Sequence, residues 1–353
     1  MSAVSVDAIL KTAIEEGASD VHITVGIPPK MRVNGTLKEM EKYERLMPPD
    51  TKAIADAIMG ERQRELLEER GQIDTSYSIR DVGRFRVNIF RQRGSYALAI
   101  RLVATRVPDP ATLGIPQPVI DLYKQESGLV LVTGPTGHGK STTLAALIDL
   151  INNNRDAHVI TLEDPIEFLY RHNKSIINQR EIGLDAHNYS DALRAALRED
   201  PNVIMVGEMR DAETMGTAIT AAETGHLVLS TLHTLGAANS VDRIIDVFPE
   251  QKQQQIRIQL ASVLTAIISQ QLIPTADGET RAAAFEVLFA TTAVRSQIRE
   301  GKAHQLATTI QTSKEHGMIT MDDSILHLYQ NKIITADKAL QYALNPDVLK
   351  NKL

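Results

Sequence analysis

One segment constrains the fold of this chain more than any other: an apolar strand, a glycine-rich loop and a helix follow each other directly at residues 129–153. The run at 129–133 is apolar and rich in β-branched residues, which predicts a buried strand. Beyond the loop, apolar residues at positions 144, 147, 148 and 151 have the i, i+3, i+4, i+7 spacing of a buried helix face. The loop between them, residues 134–141, has the pattern G-x-x-x-x-G-K-S. A loop of this pattern between strand and helix is typical of a phosphate-binding site.

The residue types of the loop indicate what it binds. Glycines let the main-chain N–H groups face an anion, and the helix that follows adds the positive end of its dipole. Lys140 is placed to reach the β- and γ-phosphates, and the Ser141 hydroxyl can ligate Mg²⁺. We therefore expect ATP and Mg²⁺ as cofactors, bound by Pro135, Thr136, Gly137, His138, Gly139, Lys140, Ser141 and Thr142.

Composition limits the class of protein. A length of 353 residues predicts two domains, because single cores rarely grow so large. The chain has no apolar run as long as a membrane span. Its first sixteen residues include four charged ones, at 7, 11, 15 and 16, where a signal peptide would be apolar. It has no cysteine, a net charge of −6 and no tryptophan, so we expect no thiolate metal site and no nucleic-acid partner. We also expect no direct insertion into a membrane.

The first hundred residues predict a small α/β domain. A short amphipathic helix, a strand at 20–25 and a hairpin around Asn34–Gly35 come first. A charged helix at about 50–70 and strands at 73–79, 84–90 and 96–103 follow. The last strands carry several arginines, which predicts either a solvated strand face or a cationic surface for an anion held elsewhere.

Four prolines at positions 108, 110, 116 and 118 exclude continuous helix or strand and predict a semi-stiff connector. We place the domain boundaries accordingly: an N-terminal domain at 1–104, a linker at 105–118 and a second domain at 119–353. Within the second domain, an apolar stripe from Ile256 to Ile268 predicts one long helix at the start of a mostly helical C-terminal region, about 250–353.

Polar residues lie at the ends of three further strands of the second domain. Glu163 ends a strand at 158–162, Glu208 follows a strand at 203–206, and His226 and His233 flank a strand at 227–231. Helical patterns between these runs predict a parallel sheet, whose ligands bind at the carboxyl ends of its strands. Two carboxylates beside a triphosphate suit magnesium binding and activation of water. A structural role is the alternative for each histidine.

Four boxes together resemble the secretion ATPase superfamily: residues 134–142, 161–167, 206–211, and 224–227 with 231–234. In that superfamily they are the Walker A, Asp, Walker B and His boxes. Residues 17–22, 84–86 and 178–181 also match, so the resemblance covers nearly the whole chain. It implies catalytic roles for Glu163, Glu208, His226 and His233, with Ser141, Glu208 and Glu163 at Mg²⁺.

The resemblance also implies an architecture. A PAS-like α/β N-terminal domain would be joined by the proline-rich linker to a RecA-like P-loop ATPase core, in a homohexamer. Arg84, Arg86 and Arg101 match arginines that approach the γ-phosphate across the subunit interface. Rotation of one domain against the next would produce force.

Within the superfamily, the chain resembles the ATPases that retract type IV pili. It has neither the longer N-terminal extension nor the four-cysteine zinc site of assembly ATPases, and residues 293–300 are similar to a motif associated with retraction, A-I-R-N-L-I-R-E. His138 replaces the serine usual in the Walker A loop. The resemblance implies a cytoplasmic motor, peripheral at the inner face of the cytoplasmic membrane. Its expected partners are an inner-membrane pilus platform protein and a second retraction ATPase.

We therefore predict a Mg²⁺-dependent ATPase that powers pilus retraction and twitching motility. Three alternatives remain open: an ATPase for pilus extension or type II secretion, a non-hydrolysing hexameric scaffold that assists a second motor, and a RecA-like nucleic-acid motor. Phosphate release separates an enzyme from a scaffold, and stimulation by DNA or RNA would indicate the nucleic-acid motor.

Overall fold

The computed structural model describes residues 5–33, 35–80, 82–103 and 107–353, and the chain divides into two compact units. The first comprises Met1–Arg106 with Glu167–Leu169, and the second comprises Val107–Ile166 with Tyr170–Leu353. Each unit has its own sheet and its own hydrophobic core. The predicted mixed α/β fold is therefore confirmed.

The first unit combines helices with an antiparallel sheet. Its elements are α1 (Val6–Glu15), β1 (Asp20–Ile23), β2 (Lys30–Val33), β3 (Thr36–Glu39), α2 (Pro48–Ile58), α3 (Glu61–Arg70), β4 (Gln72–Ile79), β5 (Gly83–Gln92) and β6 (Ser95–Leu102). Among the described residues the strand order is β3-β2-β1-β6-β5-β4. Leu10 of α1 packs into one core with Phe85 and Leu98 of the central strands.

Most elements of this unit follow the sequence pattern. The predicted hairpin is confirmed as β2 paired with β3, although Asn34 lies outside the described residues, and the three predicted strands are confirmed as β4, β5 and β6. The single charged helix predicted at about 50–70 is wrong, because α2 and α3 are separate. Met59 is buried in the core and ends the first helix, and the Gly60 N–H donates to Gln63 Oε1 at 2.7 Å where the second begins.

The second unit is built around a largely parallel sheet. Its elements are α4 (Gln117–Ile120), β7 (Gly128–Thr133), α5 (Lys140–Asn154), β8 (His158–Glu163), β9 (Ile176–Glu181), α6 (Tyr189–Ala196), β10 (Val203–Val206), α7 (Ala212–Glu223), β11 (Leu227–Leu232), α8 (Ala237–Asp246), α9 (Glu250–Val263), β12 (Leu264–Pro274), β13 (Arg281–Phe289), α10 (Thr292–Arg299), α11 (Leu306–Thr312), α12 (Met321–Gln330), α13 (Ala336–Tyr342) and α14 (Pro346–Lys350). In the described part of the chain, the strand order is β13-β12-β7-β11-β10-β8-β9. Within this sheet, β12 and β13 form the only antiparallel pair among the described strands, and the other neighbouring strands are parallel.

Both faces of this sheet are covered, which explains why its central strands are continuous apolar runs. Every residue of β7, β10 and β11 is buried. Along β7 the side chains alternate between two cores: Leu129 and Leu131 join one, and Val130 and Val132 join the other. The central strands therefore lie between two packed layers.

The C-terminal region differs from its prediction. The apolar stripe from Ile256 to Ile268 is not one helix, because α9 ends at Val263 and β12 begins at Leu264. The residues from Leu264 onward pair with β7 on one side and β13 on the other, so sheet pairing prevails over the helical spacing. The region 250–353, predicted to be mostly helical, thus supplies two long strands to the main sheet.

Two smaller points concern the connections. Strand β9 is not predicted from the sequence, because it carries polar side chains at 178–181 and pairs with β8 alone among the described residues. In the predicted linker, Thr105 and Arg106 lie outside the described residues. Residues 107–116 form no helix or strand, and α4 begins at Gln117, earlier than the predicted linker end. Pro118 occupies the first helical turn, where a missing N–H has no cost.

Candidate nucleotide-binding and catalytic site

Four parallel strands bring the predicted groups to one edge of the second sheet. The neighbours β7, β11, β10 and β8 run in the same direction. The glycine-rich loop follows β7, Glu163 is the last residue of β8, Glu208 lies two residues after β10, and His233 directly follows β11. Carboxyl ends of parallel strands meet at one edge, so these groups converge there.

The glycine-rich loop lies close against strand β12. Gly134 has φ of 143°, and a Cβ added there would lie 2.3 Å from the carbonyl oxygen of Gln270. Gly139 has φ of 82°, and its Cβ would lie 2.9 Å from Gln270 Nε2. Both positions therefore require glycine, for backbone conformation and for close approach. Helix α5 begins immediately afterwards at Lys140, so its first N–H groups are directed towards the loop.

Lys140 is buried within the loop it follows. Its Nζ donates to the carbonyl oxygens of Gly134 at 2.9 Å and Pro135 at 3.0 Å. The ammonium is therefore fixed at the centre of the turn, where the N–H groups of the loop and of the first helical turn also lie. Cation, amides and helix dipole together suit a phosphate chain.

His233 connects this lysine to Glu208. Its Nδ1 lies 3.5 Å from Lys140 Nζ and 3.3 Å from Thr136 Oγ1, while its Nε2 lies 3.1 Å from Glu208 Oε2. Because an ammonium only donates, Nδ1 accepts from Lys140, and Nε2 then carries the proton that it donates to Glu208. The structure thus brings Lys140, His233 and Glu208 into one hydrogen-bonded chain.

Arg210 completes the surroundings of Glu208, with Nη2 at 2.8 Å from Oε1. Its contact with Glu208 is not predicted from the sequence, although it lies two residues beyond Glu208 in the same box. The pair holds the pKa of the Arg210 guanidinium above its usual range.

Glu163 is buried at the end of the strand next to β10 and has its own hydrogen-bond partners. Its Oε1 accepts from Thr161 Oγ1 at 2.6 Å and from Gln179 Nε2 at 3.1 Å. Gln179 belongs to β9, the strand that is missed from the sequence, so its contribution could not be predicted. Both predicted carboxylates thus lie at neighbouring strand ends with fixed oxygens.

Tyr189 is a further residue that the sequence does not reveal. Burial raises the pKa of its phenol well above the usual value, and the carboxylates of Glu208 and Asp164 raise it further. A Cβ added at Gly207 would lie 3.0 Å from the Tyr189 hydroxyl. Helix α6 brings this residue to the acidic groups by packing against β8 and β10, and no local pattern marks it.

His138 uses its side chain as well as its backbone. Its Nδ1 accepts from the Leu272 N–H at 3.0 Å, and Arg281 Nη1 donates to the Gly137 carbonyl oxygen at 3.2 Å. Burial, followed by the charges of Arg281 and Lys140, lowers the pKa of His138. The loop is thereby attached to β12 and β13 by side-chain contacts.

His226 is not brought to this site. It precedes β11 and therefore lies at the opposite, amino edge of the sheet. Its Nδ1 lies 2.9 Å from the Ala221 carbonyl oxygen and 3.1 Å from Thr224 Oγ1, and its own carbonyl oxygen accepts from the Gly128 N–H at 3.0 Å. These contacts fasten the end of α7 to the sheet.

The three predicted arginines belong to the first unit. Arg84 and Arg86 lie on β5, and Arg101 lies opposite Arg86 on β6. Arg84 Nη2 donates to Ser76 Oγ at 2.9 Å, and Arg101 Nε donates to Asp20 Oδ1 at 2.9 Å. Partial burial of Asp20 opposes its ionisation, but hydrogen bonds from Ser19 and Arg101 prevail and lower its pKa.

The described residues contain neither a group of metal-binding side chains nor a membrane-spanning helix. No group of three or more His, Cys, Asp or Glu side chains within them is arranged to hold a metal ion. Across these same ranges, no helix has the length and apolar character needed to cross a bilayer.

Comparisons with known proteins agree with this architecture. The family described as Type II/IV secretion system protein matches residues 2–345. The chain is 42% identical over 343 residues to the "Type IV pilus retractation ATPase PilT" of Pseudomonas aeruginosa, covering 96% of this chain and 98% of that protein. It is 45% identical over 323 residues to YggR of Escherichia coli, covering 92% and 98%.

A solved structure is similar over the whole length. The crystal structure of the pilus retraction motor PilT with bound ADP shares 48% sequence identity, covers 99% of both chains and superposes with a TM-score of 0.91. The resemblance that the four boxes predict is thereby confirmed. The chain belongs to the type II/IV secretion system protein family.

Proposed function

We propose that this protein is a Mg²⁺-dependent ATP hydrolase that powers retraction of type IV pili. The observation that carries the proposal is the chain of contacts from Lys140 through His233 to Glu208 at the mouth of a P-loop. The full-length similarity to PilT, whose crystal structure contains ADP, supports both the nucleotide and the process.

In this proposal the loop and the two carboxylates have separate tasks. Residues 135–142 hold the phosphates, with Lys140 balancing charge on the β- and γ-phosphate oxygens. Glu208 accepts a proton from the attacking water. The water oxygen bonds to the γ-phosphorus, and the bond between the γ-phosphorus and the bridging oxygen of the β-phosphate breaks, so that ADP leaves. His233 and Arg210 orient Glu208 through its two oxygens.

The oxygen donors of the site fit magnesium. The Ser141 hydroxyl and the carboxylates of Glu208 and Glu163 are hard ligands, and Mg²⁺ takes few protein ligands besides phosphates and water. When bound, the ion neutralises charge that develops on the phosphates. Glu163 is held by Thr161 and Gln179, so its position does not depend on the ion.

The cationic strands of the first unit would complete the site in a homohexamer. Arg101 exposes 69% of its side chain although it pairs with Asp20, which leaves the guanidinium accessible to a neighbouring subunit. We propose that Arg84, Arg86 and Arg101 approach the γ-phosphate of the adjacent copy. The first unit is then PAS-like, residues 105–118 act as the linker, and rotation about it produces force.

The proposed setting follows from this function. The hexamer would lie in the cytoplasm at the inner face of the cytoplasmic membrane, against a pilus platform protein and alongside a second retraction ATPase. No nucleic acid takes part. His226, at the amino edge, would support the fold and not the chemistry.

Two measurements test the proposal. Purified protein should release phosphate from ATP only with Mg²⁺, and Lys140→Ala should abolish it, whereas a scaffold would be inactive without any substitution. Deletion of the gene in its host should give excess pili and no twitching, restored by the wild type and not by Lys140→Ala. Loss of pili instead would indicate an extension ATPase.

A further inference from the structure

The segment between His233 and helix α8 is attached to the β12–β13 hairpin by two adjacent hydrogen bonds. The Gly236 N–H donates to Ser269 Oγ at 2.9 Å, and the Ala237 N–H donates to Glu286 Oε1 at 2.8 Å. Ser269 and Glu286 are cross-strand partners. The buried side chains of Ser269 and Glu286 thus hold the backbone three and four residues beyond His233.

Glu286 also holds a second helix. Its other oxygen, Oε2, accepts from the Met321 N–H at 3.4 Å. Ala237 and Met321 are the first residues of α8 and α12, each ten residues long. One carboxylate therefore lies between two helix N-termini, whose dipoles favour a negative charge.

The site requires a carboxylate and not merely a side chain of that size. Burial raises the pKa of Glu286, while the two amides that donate to it oppose the rise. A glutamine there would accept one N–H through its carbonyl oxygen but present its own NH₂ to the other. An N–H left unpaired in this buried place has a considerable cost.

We propose that Glu286, together with Ser269, is a positioning residue that fixes His233 against Glu208 and Lys140. The proposal rests on the proposed role of His233 in hydrolysis. Glu286 touches none of the reacting groups; it acts by holding the loop that follows His233, whose next turn is further fastened by Thr234 Oγ1 at 2.7 Å from Ser240 Oγ.

A double-mutant cycle of Glu286→Gln and His233→Ala tests the proposal. ATP affinity and phosphate release are measured separately, and release is followed in a single turnover so that the rates of slow variants can be determined. Glu286→Gln should slow phosphate release by about 10-fold to 100-fold. It should change ATP affinity by less than about threefold, because the loop and Lys140 are untouched. In a His233→Ala background the same substitution should cause less than about a twofold further loss, because its effect passes through His233.

Two further variants keep the test decisive. Ser269→Ala removes the acceptor of the Gly236 N–H with a minimal change of volume. It should give the same pattern with a smaller loss of phosphate release, and it replaces Glu286→Gln in the test if that variant does not fold. Thr320→Ala removes the side-chain cap of α12, which accepts from the Asp323 N–H at 3.1 Å, and should leave phosphate release unchanged. It thus controls for simple loosening of that helix.

The outcomes are distinct. If Glu286→Gln and Ser269→Ala slow phosphate release equally in wild-type and His233→Ala backgrounds, they act through the fold, and the positioning role is overturned. If His233→Ala alone leaves phosphate release unchanged, the proposed catalytic role of His233 fails first and the positioning role fails with it. Parallel loss of ATP affinity and turnover would also reject the inference.

Discussion

The two histidines that flank β11 have the same side chain and opposite surroundings. His233, at the carboxyl end, lies between Lys140 and Glu208. His226, at the amino end, contacts a helix-end carbonyl oxygen and a threonine hydroxyl. The six strand residues between them place them at opposite edges of the sheet. The role of a polar residue here depends on which end of the strand it occupies.

The largest expected effect compares glutamates at the two edges. Glu208→Gln keeps the size of the side chain and removes its charge, so turnover should fall by about 10²–10⁴-fold while ATP still binds. Glu223→Gln makes the same change at the end of α7 on the amino edge, where Oε2 accepts from Gln259, and should leave turnover unchanged. Steady-state phosphate release and nucleotide titration measure both. Normal turnover in Glu208→Gln would assign the proton acceptor to Glu163.

The histidines themselves provide the next test. His233→Ala should lower turnover by about 100-fold, because it separates Glu208 from the P-loop lysine. His226→Ala should leave turnover within about twofold and lower the free energy of unfolding by about 1 kcal/mol, the usual contribution of one hydrogen bond. Denaturant titration and phosphate release separate the two effects. Equal losses of turnover would contradict the division between the edges.

Mixed rings test whether the carboxyl edge is completed by another copy. Arg101→Ala should bind ATP and fail to hydrolyse it, and Lys140→Ala should not bind it. Mixing the two should restore a fraction of wild-type turnover wherever an intact arginine faces an intact loop. Mixed rings that are verified by mass spectrometry and remain inactive would place the arginine's role within its own subunit.

Arg295 extends the comparison on the amino edge, in the segment 293–300 that resembles a retraction motif. Its Nη1 donates to the carbonyl oxygens of Ala261 and Ser262 at the end of α9, and its Nε donates to that of Ala290 at 3.0 Å. Arg295→Ala should therefore lower the free energy of unfolding by about 1–3 kcal/mol with little change in turnover per folded molecule. Arg299→Ala, at an exposed position of the same helix, is the matched control and should keep wild-type stability. A motility defect in Arg299→Ala with normal turnover would support coupling through this segment.

The smallest effect concerns pH at the carboxyl edge. Folding lowers the pKa of His138 below its ordinary value of 6.5, so the unfolded chain binds this proton more readily. The stability due to this histidine is full above about pH 6.5 and declines as the pH falls towards the folded pKa. His138→Asn offers an acceptor that does not titrate, so its stability relative to wild type should improve on acidification. Thermal unfolding across this range measures the difference, and parallel curves for the two proteins would contradict a lowered pKa of His138 in the folded state.

The catalytic edge could be predicted from sequence because its information is local. The P-loop pattern fixes strand, turn and helix within residues 129–153, and apolar runs that end in Glu163, Glu208 and His233 follow the general rule for parallel sheets. Prediction failed where pairing partners are distant. Spacing alone extended α9 to Ile268, but β7 and β13 recruit that stretch into the sheet. The polar strand β9, and with it Gln179 beside Glu163, was missed for the same reason.

The sequence by itself thus determined the phosphate loop, the mixed α/β fold and the family, because each depends on short patterns or on boxes in a fixed order. Only the tertiary structure decided that His233 contacts both Lys140 and Glu208, and that Arg210 and Tyr189 lie beside Glu208. It alone also decided that Glu286 accepts hydrogen bonds from the amides of two helices that begin 84 residues apart, at Ala237 and Met321. The physical reason is that hydrogen bonds and burial act between groups that are close in space, whatever their separation along the chain.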